Sequence, residues 1–413
     1  MIKKITLFLL IVTTFGLALE AQEVPKLRID PAQAYGGVVS DYFEEVNYIP
    51  LQTTKQSLFG TISSMVITDS SFVVSDNDTH AVLFFKKDGT YLTKVKFKND
   101  DYPNLSYEAS TKRITISVYS SQTRKADIQY YSITGSKLEN HLNINSSERK
   151  KGTRSLGGGY YLNIQSCYIA PGKTPVDSVA YAISIYKNKT LYKSFLPFNQ
   201  AKLPCMCALG FGPTITATDQ DSVVYASTPF DNAIYRVTKD TLQKIYTIVF
   251  PFDRMFSKSL LETTDTKRID SLRDNLYKMQ NIISGVSNIY FENNLMLFKI
   301  DQKSYMWTEG TEDTKQYNLV YNLKTSRLVS LERITPDAKS SFLPLIAGFY
   351  MSIRGLIYDG GYFYSSVPSL QMFAAKENTK DKNPKYPPVL ENYFKTESRK
   401  SNPVIVQMKL RKF

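Results

Sequence analysis

The sequence predicts an all-β protein whose sheets form a closed ring, a six-bladed β-propeller, and three observations support this prediction. The 413 residues include 29 Tyr and 23 Phe, which suit pleated, half-buried surfaces. Strand hairpins follow one another without alternating helices, which favours a sandwich, a barrel or a propeller. The hairpins recur about every fifty residues, as propeller blades do. Because the third and sixth repeats are irregular, seven blades are the alternative.

An export signal is predicted at the amino terminus. Lys3 and Lys4 precede an apolar run from Ile5 to Leu19, and small residues follow this run, as in secretory signal peptides. The run is short for a membrane span, so cleavage is favoured over an N-terminal anchor. We expect residues 1–21 to be removed and residues 22–413 to form one propeller domain in the periplasm or on the outer cell surface. We expect no transmembrane segment in this mature chain.

The chain is basic, with a formal net charge of +13. Its Lys and Arg residues are scattered singly or in pairs and form no polybasic block or nucleic-acid motif. We therefore expect no nucleic-acid partner. A solvated basic surface is the simplest interpretation, and attraction to an acidic polymer is the alternative.

The three cysteines are Cys167, Cys205 and Cys207. An odd number leaves at least one unpaired in an oxidising compartment. A bridge from Cys167 to either of the others is possible, and the sequence does not assign it. Zinc prefers four ligands, so we predict no metal there.

The repeat is visible as an alignment without gaps. The segment Ser70–Asp88 matches Ser222–Asp240 at an offset of 152 residues, close to three units of about 51 residues each. A shorter offset of 46 residues relates Val82–Gly89 to Ile128–Gly135. Each copy is an apolar strand that enters a polar turn, which is the hairpin pattern.

The repeat gives approximate blade boundaries, and ring closure predicts a further pairing. The expected blades are 55–100, 101–150, 151–200, 205–253, 282–335 and 340–413. A propeller usually completes one blade with strands from both termini. Val46–Leu51 is the candidate closing strand, paired near the C-terminal strand Val404–Leu410.

Two insertions interrupt the β pattern. Residues 264–283 carry apolar side chains at helical spacing, from Ile269 to Ile283, so one amphipathic helix is expected within an insertion of about 256–283. A polar excursion of about 374–402 is rich in Lys, Asn, Glu and Pro. It is expected to form a long loop with a short helix near Leu390–Lys395.

Several segments resemble a known family. They are Tyr48–Thr54, Leu58–Ile67, Phe72–Asp76 and Leu83–Leu92 in the first blade and Ser401–Leu410 at the end. Together they resemble the exported six-bladed β-propeller proteins of bacteroidete bacteria, which are related to the NHL-repeat type. The resemblance covers essentially the whole mature chain and is strongest at its two ends.

The resemblance implies a periplasmic or cell-surface location, a possible link to glycan uptake and no defined reaction. Many members of that family carry a Gly-rich segment after the first blade. Here the segment Lys98–Leu105 stands in its place and keeps only Tyr102–Pro103. Any site that the family builds on the Gly-rich loop is therefore not implied for this chain.

No catalytic constellation is predicted. A Ser-His-Asp triad needs an oriented base, and the two histidines, His80 and His141, stand outside any such motif. Calcium needs six to eight oxygens. Asp76–Asp78, with Asp219 and Asp221, could supply some, but Asp and Asn in these positions are typical of turns. No cofactor is expected, and Ca²⁺ is the alternative.

Four residues are candidate ligand contacts. Arg154 with Tyr160, and Arg354 with Tyr362, are expected at the channel rim in two separate units. Gly157–Gly159 is expected to turn the chain into an inner strand that begins at Tyr160. An arginine near a channel must find a partner, whereas each tyrosine could equally pack inside a blade.

The sequence favours a non-catalytic protein that binds an unknown small molecule, glycan or protein through the propeller mouth. A propeller hydrolase or lyase acting on a sugar, a lactone or a peptide-derived substrate is the alternative. A structural partner in a membrane assembly is a third possibility. An enzyme requires convergent carboxylates, His or Asn at one end of the channel, whereas a binding protein could show an aromatic and Arg lining instead.

Overall fold

The structure is a computed structural model. It describes residues 23–98, 101–120, 125–139, 142–145, 154–165, 177–187, 190–201, 213–218, 220–228, 231–261, 263–275, 282–302, 317–347 and 356–412. Cys167, Cys205, Cys207, His141, Asp219 and Arg354 lie outside these residues, as do residues 1–21.

Three strands precede the first complete blade. They are β1 (Lys26–Arg28), β2 (Tyr35–Val38) and β3 (Phe43–Pro50), with the short helix α1 (Val39–Tyr42) between β2 and β3. Each of them joins the outer edge of a different sheet.

The first three blades follow in chain order, with four strands each. The first contains β4 (Ser64–Ile67), β5 (Ser71–Asp76), β6 (Ala81–Lys86) and β7 (Tyr91–Lys96). The second contains β8 (Asp101–Glu108), β9 (Arg113–Ser120), β10 (Lys125–Ser132) and β11 (Leu142–Asn145). The third contains β12 (Arg154–Ser155), β13 (Tyr160–Ile164), β14 (Val179–Lys187) and β15 (Thr190–Asn199).

The last three blades use the N-terminal strands. The fourth contains β16 (Thr214–Ala217), β17 (Val224–Thr228), β18 (Ala233–Val237) and β19 (Leu242–Val249), with β1 outside β19. The fifth contains β20 (Ile283–Glu292), β21 (Leu295–Gln302), β22 (Tyr317–Asn322) and β23 (Leu328–Thr335), with β2 outside β23. The sixth contains β24 (Ile357–Asp359), β25 (Tyr362–Val367), β26 (Val404–Leu410) and β3.

The prediction of six blades, rather than seven, is confirmed by these six sheets. The first strands lie innermost, since β4 contacts β8 and β16 contacts β20, each pair joining the first strands of two neighbouring blades. Antiparallel order then places the turns between first and second strands together at one end of the ring. We call this end the lower face; its turns include residues 68–70, 109–112, 156–159, 218, 220–223, 293–294 and 360–361.

The core lies between the blades, and β6 shows why its sequence is continuously apolar. Val82 and Phe84 pack against the second blade, whereas Leu83 and Phe85 pack against the sixth. All four side chains are fully buried. A strand covered on both faces cannot alternate apolar and polar residues.

The repeat is also visible in the backbone. His80 and Asn232 occupy equivalent turns of the first and fourth blades, with φ of 48° and 47°. Gly89 and Gly135 occupy equivalent turns of the first and second blades, with φ of 88° and 89°. These pairs have the offsets of 152 and 46 residues that the sequence alignment predicted.

The ring closes where predicted. β3 pairs antiparallel with β26, from Val404 opposite Pro50 to Leu410 opposite Phe43. The sequence did not indicate β1 and β2, which add parallel strands to the fourth and fifth blades. Together with β3, these strands place the N-terminal segment along the outer edges of the fourth, fifth and sixth blades.

The first insertion contains two helices, α2 (Lys258–Leu261) and α3 (Thr266–Asn275). Ile269 and Leu272 of α3 are buried, as the amphipathic pattern predicted. The expected helix does not include Ile283, which starts β20 instead. Ile283 is buried between the fourth and fifth blades, so packing of the sheet determines its conformation.

The second insertion holds α4 (Ser369–Asn378) and α5 (Pro388–Thr396). The short helix expected near Leu390–Lys395 corresponds to α5, whereas α4 was not expected. Leu390, Tyr393 and Phe394 pack on the core of the fifth and sixth blades. Single turns of 3-10 helix occur at Pro31–Gln33, Ala109–Thr111, Phe252–Arg254, Ala338–Ser340 and Lys380–Lys382. Within the described ranges, no helix is long and apolar enough to cross a bilayer.

Asn402 joins the closing blade to the loop that enters the first blade. Its side chain is fully buried. Its Nδ2 donates to the carbonyls of Gln52 at 2.9 Å and Ser57 at 3.0 Å, and its Oδ1 accepts from the Phe59 amide at 3.0 Å. All three contacts cross from the C-terminal part of the chain to the N-terminal part.

We predict that Asn402→Asp destabilises the fold by about 3 kcal/mol, because both carbonyl contacts lose their donor and a charge is buried. Chemical denaturation of the purified variant measures this loss. Asn47→Asp is the matched control, since Asn47 makes one exposed contact to Gln407 and should change stability by less than about 0.5 kcal/mol. Equal losses in the two variants would contradict the closing role of Asn402.

A second prediction concerns Gly89, where a Cβ atom would lie 2.1 Å from the Pro50 carbonyl oxygen of β3. Gly89→Ala should destabilise the fold by about 3 kcal/mol or more, because backbone cannot move aside without disturbing ring closure. Gly361→Ala separates steric clash from backbone strain, since Gly361 has φ of 83° and no atom within 4 Å of the added Cβ. It should cost about 1 kcal/mol. Thermal unfolding of both variants checks the difference, and similar losses would exclude the clash.

Candidate ligand-binding mouth at the lower face

The innermost strands end together around the channel axis at the lower face. We define the mouth by the polar and aromatic residues at these ends: Asp69, Tyr107, Glu108, Arg154, Asp221, Tyr290, Glu292, Tyr358 and Asp359. They come from all six blades, because each blade contributes the end of its first strand or the turn that follows.

Electrostatic coupling shows that side chains from different blades lie close together. Burial raises the pKa of the Tyr107 phenol. Three carboxylates raise it further, those of Asp69, Asp221 and Asp359. These carboxylates belong to the first, fourth and sixth blades and Tyr107 to the second, so charges from three other blades act on one phenol.

Arg154 contributes a cation that feels charges from two other blades. It lies on β12, which has only two residues. Burial lowers the pKa of its guanidinium, and the charges of Asp221 and Tyr290 act in the opposite direction. An arginine keeps its positive charge at neutral pH even so.

Two polar atoms in the mouth are buried without a hydrogen-bond partner among the residues that the structure describes. They are Nε of Arg154 and the hydroxyl of Tyr107. Leaving a buried donor unpaired costs about 1–3 kcal/mol, so such groups are uncommon and call for a ligand or water. The mouth therefore offers a donor from each of two adjacent blades.

Tyrosines of the fifth and sixth blades form an aromatic wall. The ring centroids of Tyr290 and Tyr358 are 5.7 Å apart, and the Tyr358 hydroxyl donates to Oε2 of Glu292 at 2.5 Å. Burial raises the pKa of Tyr290 to about 12, while the Tyr358 backbone and the charge of Arg154 act to lower it. The influence of Arg154 on Tyr290 shows that charges act between the third and fifth blades, which are two places apart in the ring.

Ion pairs hold two carboxylates of the first and sixth blades. Asp69 pairs with Lys112 at 3.1 Å, and Asp359 pairs with Lys87 at 3.8 Å. Lys87 Nζ also lies 4.9 Å from the ring centroid of Phe72. Burial raises the pKa of Asp359 and lowers that of Lys87, and the attraction between them opposes both shifts.

The carboxylate of Glu108 is held by a second group of contacts. It accepts from Nη2 of Arg113 at 2.7 Å and from the Ser155 hydroxyl at 3.4 Å. The Arg113 guanidinium stacks 4.4 Å from the ring centroid of Tyr130. This carboxylate thus joins the second blade to the strand that carries Arg154.

Of the predicted site residues, Arg154 lies in the mouth and Tyr160 does not. Tyr160 begins β13, the second strand of the third blade. Its ring lies 5.1 Å from that of Tyr192, with Nζ of Lys187 at 5.0 Å and of Lys239 at 5.3 Å. It therefore packs toward the fourth blade, beside the outermost strand β15.

Gly157–Gly159 leads into β13, which lies between β12 and β14 inside the third blade. The three glycines have φ of 75°, 57° and 78° and form the turn that follows β12, so the strand beginning at Tyr160 is the second. Tyr362 occupies the corresponding place in the sixth blade, as the first residue of β25. Its hydroxyl donates to Oε2 of Glu45 at 3.0 Å. Arg354 lies outside the described residues.

The carboxylate of Asp76 accepts hydrogen bonds within its own turn, as the sequence indicated. It accepts from the amides of Asp78 at 3.3 Å and Thr79 at 3.1 Å and from the Thr79 hydroxyl at 2.6 Å. Asp221, the other possible calcium ligand inside the described ranges, lies in the mouth. Over those ranges, no three His, Cys, Asp or Glu side chains are grouped as metal ligands would be.

Sequence reasoning missed the three tyrosines and every mouth carboxylate except that of Asp221, namely Tyr107, Tyr290, Tyr358, Asp69, Glu108, Glu292 and Asp359. A positional signal existed, since Glu108, Glu292 and Asp359 each stand just before the first turn of a repeat unit. Recognising it requires knowing which strand of each unit is innermost, and β12 and β24 are too short to show this.

The coupling between Arg154 and Tyr290 gives a prediction on pH. The folded-state pKa of Tyr290 lies above the ordinary value, so its stabilising contribution is complete below about pH 10 and is lost as pH rises toward about 12. Arg154→Gln should raise this pKa further by removing a favourable charge. NMR of ¹³Cζ-labelled tyrosine, with Tyr290→Phe assigning the signal, measures it. An unchanged pKa in Arg154→Gln would contradict the proximity of the two side chains.

The chain is similar to several solved structures. A Bacteroides fragilis protein that is inferred to be exported superimposes with a TM-score of 0.61 at 14% identity, covering 94% of this chain and 100% of its own. A Bacteroides vulgatus member of the DUF4221 family gives a TM-score of 0.41 at 9% identity, covering 89% and 97% of the two chains. Virginiamycin B lyase from Staphylococcus aureus gives 0.36 at 11% identity, covering 89% and 99%.

None of the curated proteins compared matches the chain significantly. A family model, described as a domain of unknown function (DUF4934), matches residues 27–409. This match runs from β1 to the end of β26 and therefore spans every blade of the ring. The chain belongs to the DUF4934 family.

Proposed function

We propose that this chain is a non-catalytic ligand-binding propeller of the periplasm or cell surface, and that its ligand enters the mouth at the lower face. The observation that carries the proposal is the pair of buried, unpartnered donors, Arg154 Nε and the Tyr107 hydroxyl. They come from adjacent blades, and the charge of Arg154 acts on Tyr290 of the aromatic wall. A concave site with few convergent polar groups beside aromatic side chains is typical of ligand pockets.

Export is part of the same proposal. The pattern of residues 1–21 supports a cleaved signal peptide, which leaves residues 22–413 as one propeller domain with its two insertions. The similar Bacteroides fragilis protein, inferred to be exported, supports this location. A link to glycan uptake and a relation to NHL-repeat propellers rest on the family resemblance alone.

A hydrolase or lyase is the second candidate, favoured by the three carboxylates around Tyr107. General acid–base catalysis needs a carboxyl group placed against the reacting bond. Here Asp69 and Asp359 are each paired with a lysine of the lower face, which supports a binding role over proton transfer. Conversion of a ligand into a product by the purified protein would show that the chain is an enzyme.

The binding function predicts that mouth residues control ligand stabilisation. A ligand at a hundred times its Kd should stabilise the mature protein by about 2.7 kcal/mol and be recovered unchanged. Thermal unfolding with neutral glycans, anionic glycans and peptides, with and without Ca²⁺, identifies such ligands. The double variant Arg154→Gln, Tyr107→Phe should lose most of the stabilisation.

The matched control is Arg28→Gln, Tyr35→Phe, which makes the same changes on exposed residues at the outer edges of the fourth and fifth blades. It should respond to the ligand as the unmodified protein does. Full stabilisation in the mouth variant would place the site elsewhere and overturn the proposal.

A further inference from the structure

The cations of the lower face are unequally engaged. Lys112, Lys87 and Arg113 each lie within 4 Å of a carboxylate, those of Asp69, Asp359 and Glu108 respectively. Arg154 forms no such ion pair among the described residues, and its buried Nε lacks an acceptor there, as does the Nε of Arg113. An arginine presents its N–H groups as a planar fork that matches a carboxylate. The mouth thus has one place for a ligand anion.

The surroundings of Arg154 suit hydroxyl groups. The charge of Asp221 acts on Arg154, and the charges of Asp69, Asp221 and Asp359 act on the Tyr107 phenol of the adjacent blade, so hydrogen-bond acceptors lie on this side of the mouth. Two of these carboxylates are already paired with lysines, which leaves them able to accept hydrogen bonds from neutral donors. A ligand with several hydroxyls can satisfy them without bringing a positive charge.

The aromatic wall completes the pattern. Tyr290 and Tyr358 are both partly accessible, and their rings are tilted by 38° to each other. Aromatic side chains with one polar end provide an apolar surface and a hydrogen-bonding group together. The apolar faces of a pyranose ring need such a surface, and its hydroxyl edges need acceptors.

We infer that the mouth recognises an acidic saccharide of the uronic acid class, whose carboxylate pairs with Arg154 and whose hydroxyls contact Tyr107 and the surrounding carboxylates. This inference rests on the proposed binding function and names the ligand class of that site. The net charge of +13 for the whole chain favours the approach of such an anion.

Isothermal titration at pH 7 with matched sugar pairs tests the inference. D-glucuronic acid is compared with D-glucose, and D-galacturonic acid with D-galactose, since the members of each pair differ only in the carboxylate. The acid should bind about tenfold more tightly than its neutral parent, as expected for one charge-assisted contact. Arg154→Gln should abolish this preference and leave the neutral sugar unaffected, Arg154→Lys should retain part of it, and Arg28→Gln should retain all of it.

Tyr107→Phe distinguishes failure of the inference from failure of the site. It should weaken the acid and the neutral sugar by a similar factor, about fivefold. If the acid and the neutral sugar bind equally and Tyr107→Phe weakens both, the uronic acid inference is overturned while the mouth remains a binding site. The same conclusion follows if only glycine, a short peptide or inorganic phosphate binds and Arg154→Gln weakens it.

Two other outcomes would also be decisive. An acid preference that survives both Arg154→Gln and Tyr107→Phe would place recognition outside the mouth and overturn the proposed site as well. Binding of none of the sugars would overturn the inference alone, and the unfolding screen with the double variant would then decide the proposed function. Circular dichroism and melting temperature confirm that each variant is folded.

Discussion

The mouth exists only because the two ends of the chain share one sheet. β3 and β26 pair antiparallel over the full length of β26, from Val404 opposite Pro50 to Leu410 opposite Phe43. This pairing completes the sixth blade and brings it against the first. Residues of the mouth come from six separate sheets, so no local structure holds them together. Breaking the closing sheet would separate Asp359 from Asp69 and dissolve the site while leaving single blades intact.

Much of the ring could be predicted because its constraints are local in sequence. A strand buried on both faces must be continuously apolar, and the run from Val82 to Phe85 shows this directly. Equivalent turns need equivalent backbone conformations, as the φ values of His80 and Asn232 show. In contrast, β1 and β2 pair with sheet edges that lie more than two hundred residues away. Their short sequences carry no periodic pattern, so only the assembled ring provides their partners.

The candidate site was predictable only in part, because its residues come from different blades. Arg154 stands out in the sequence as a cation near the start of a repeat, and its partners Asp221 and Tyr290 belong to other blades. The sequence did not show which strands of the third and sixth blades are innermost, because the first strands, β12 and β24, have only two and three residues. In the mouth, ion-paired carboxylates lie near an arginine whose Nε lacks an acceptor among the described residues. This combination depends on contacts between blades, which the sequence does not show.

The central claim is that a ligand occupies the space between Arg154 and Tyr107. A crystal structure of the mature protein grown with D-glucuronic acid tests it most directly. Our account predicts density for the sugar at the lower face, with its carboxylate against the Arg154 guanidinium and a hydroxyl against the Tyr107 oxygen. Density for the sugar at the opposite face, beside helices α2 to α5, with only solvent in the mouth, would contradict it.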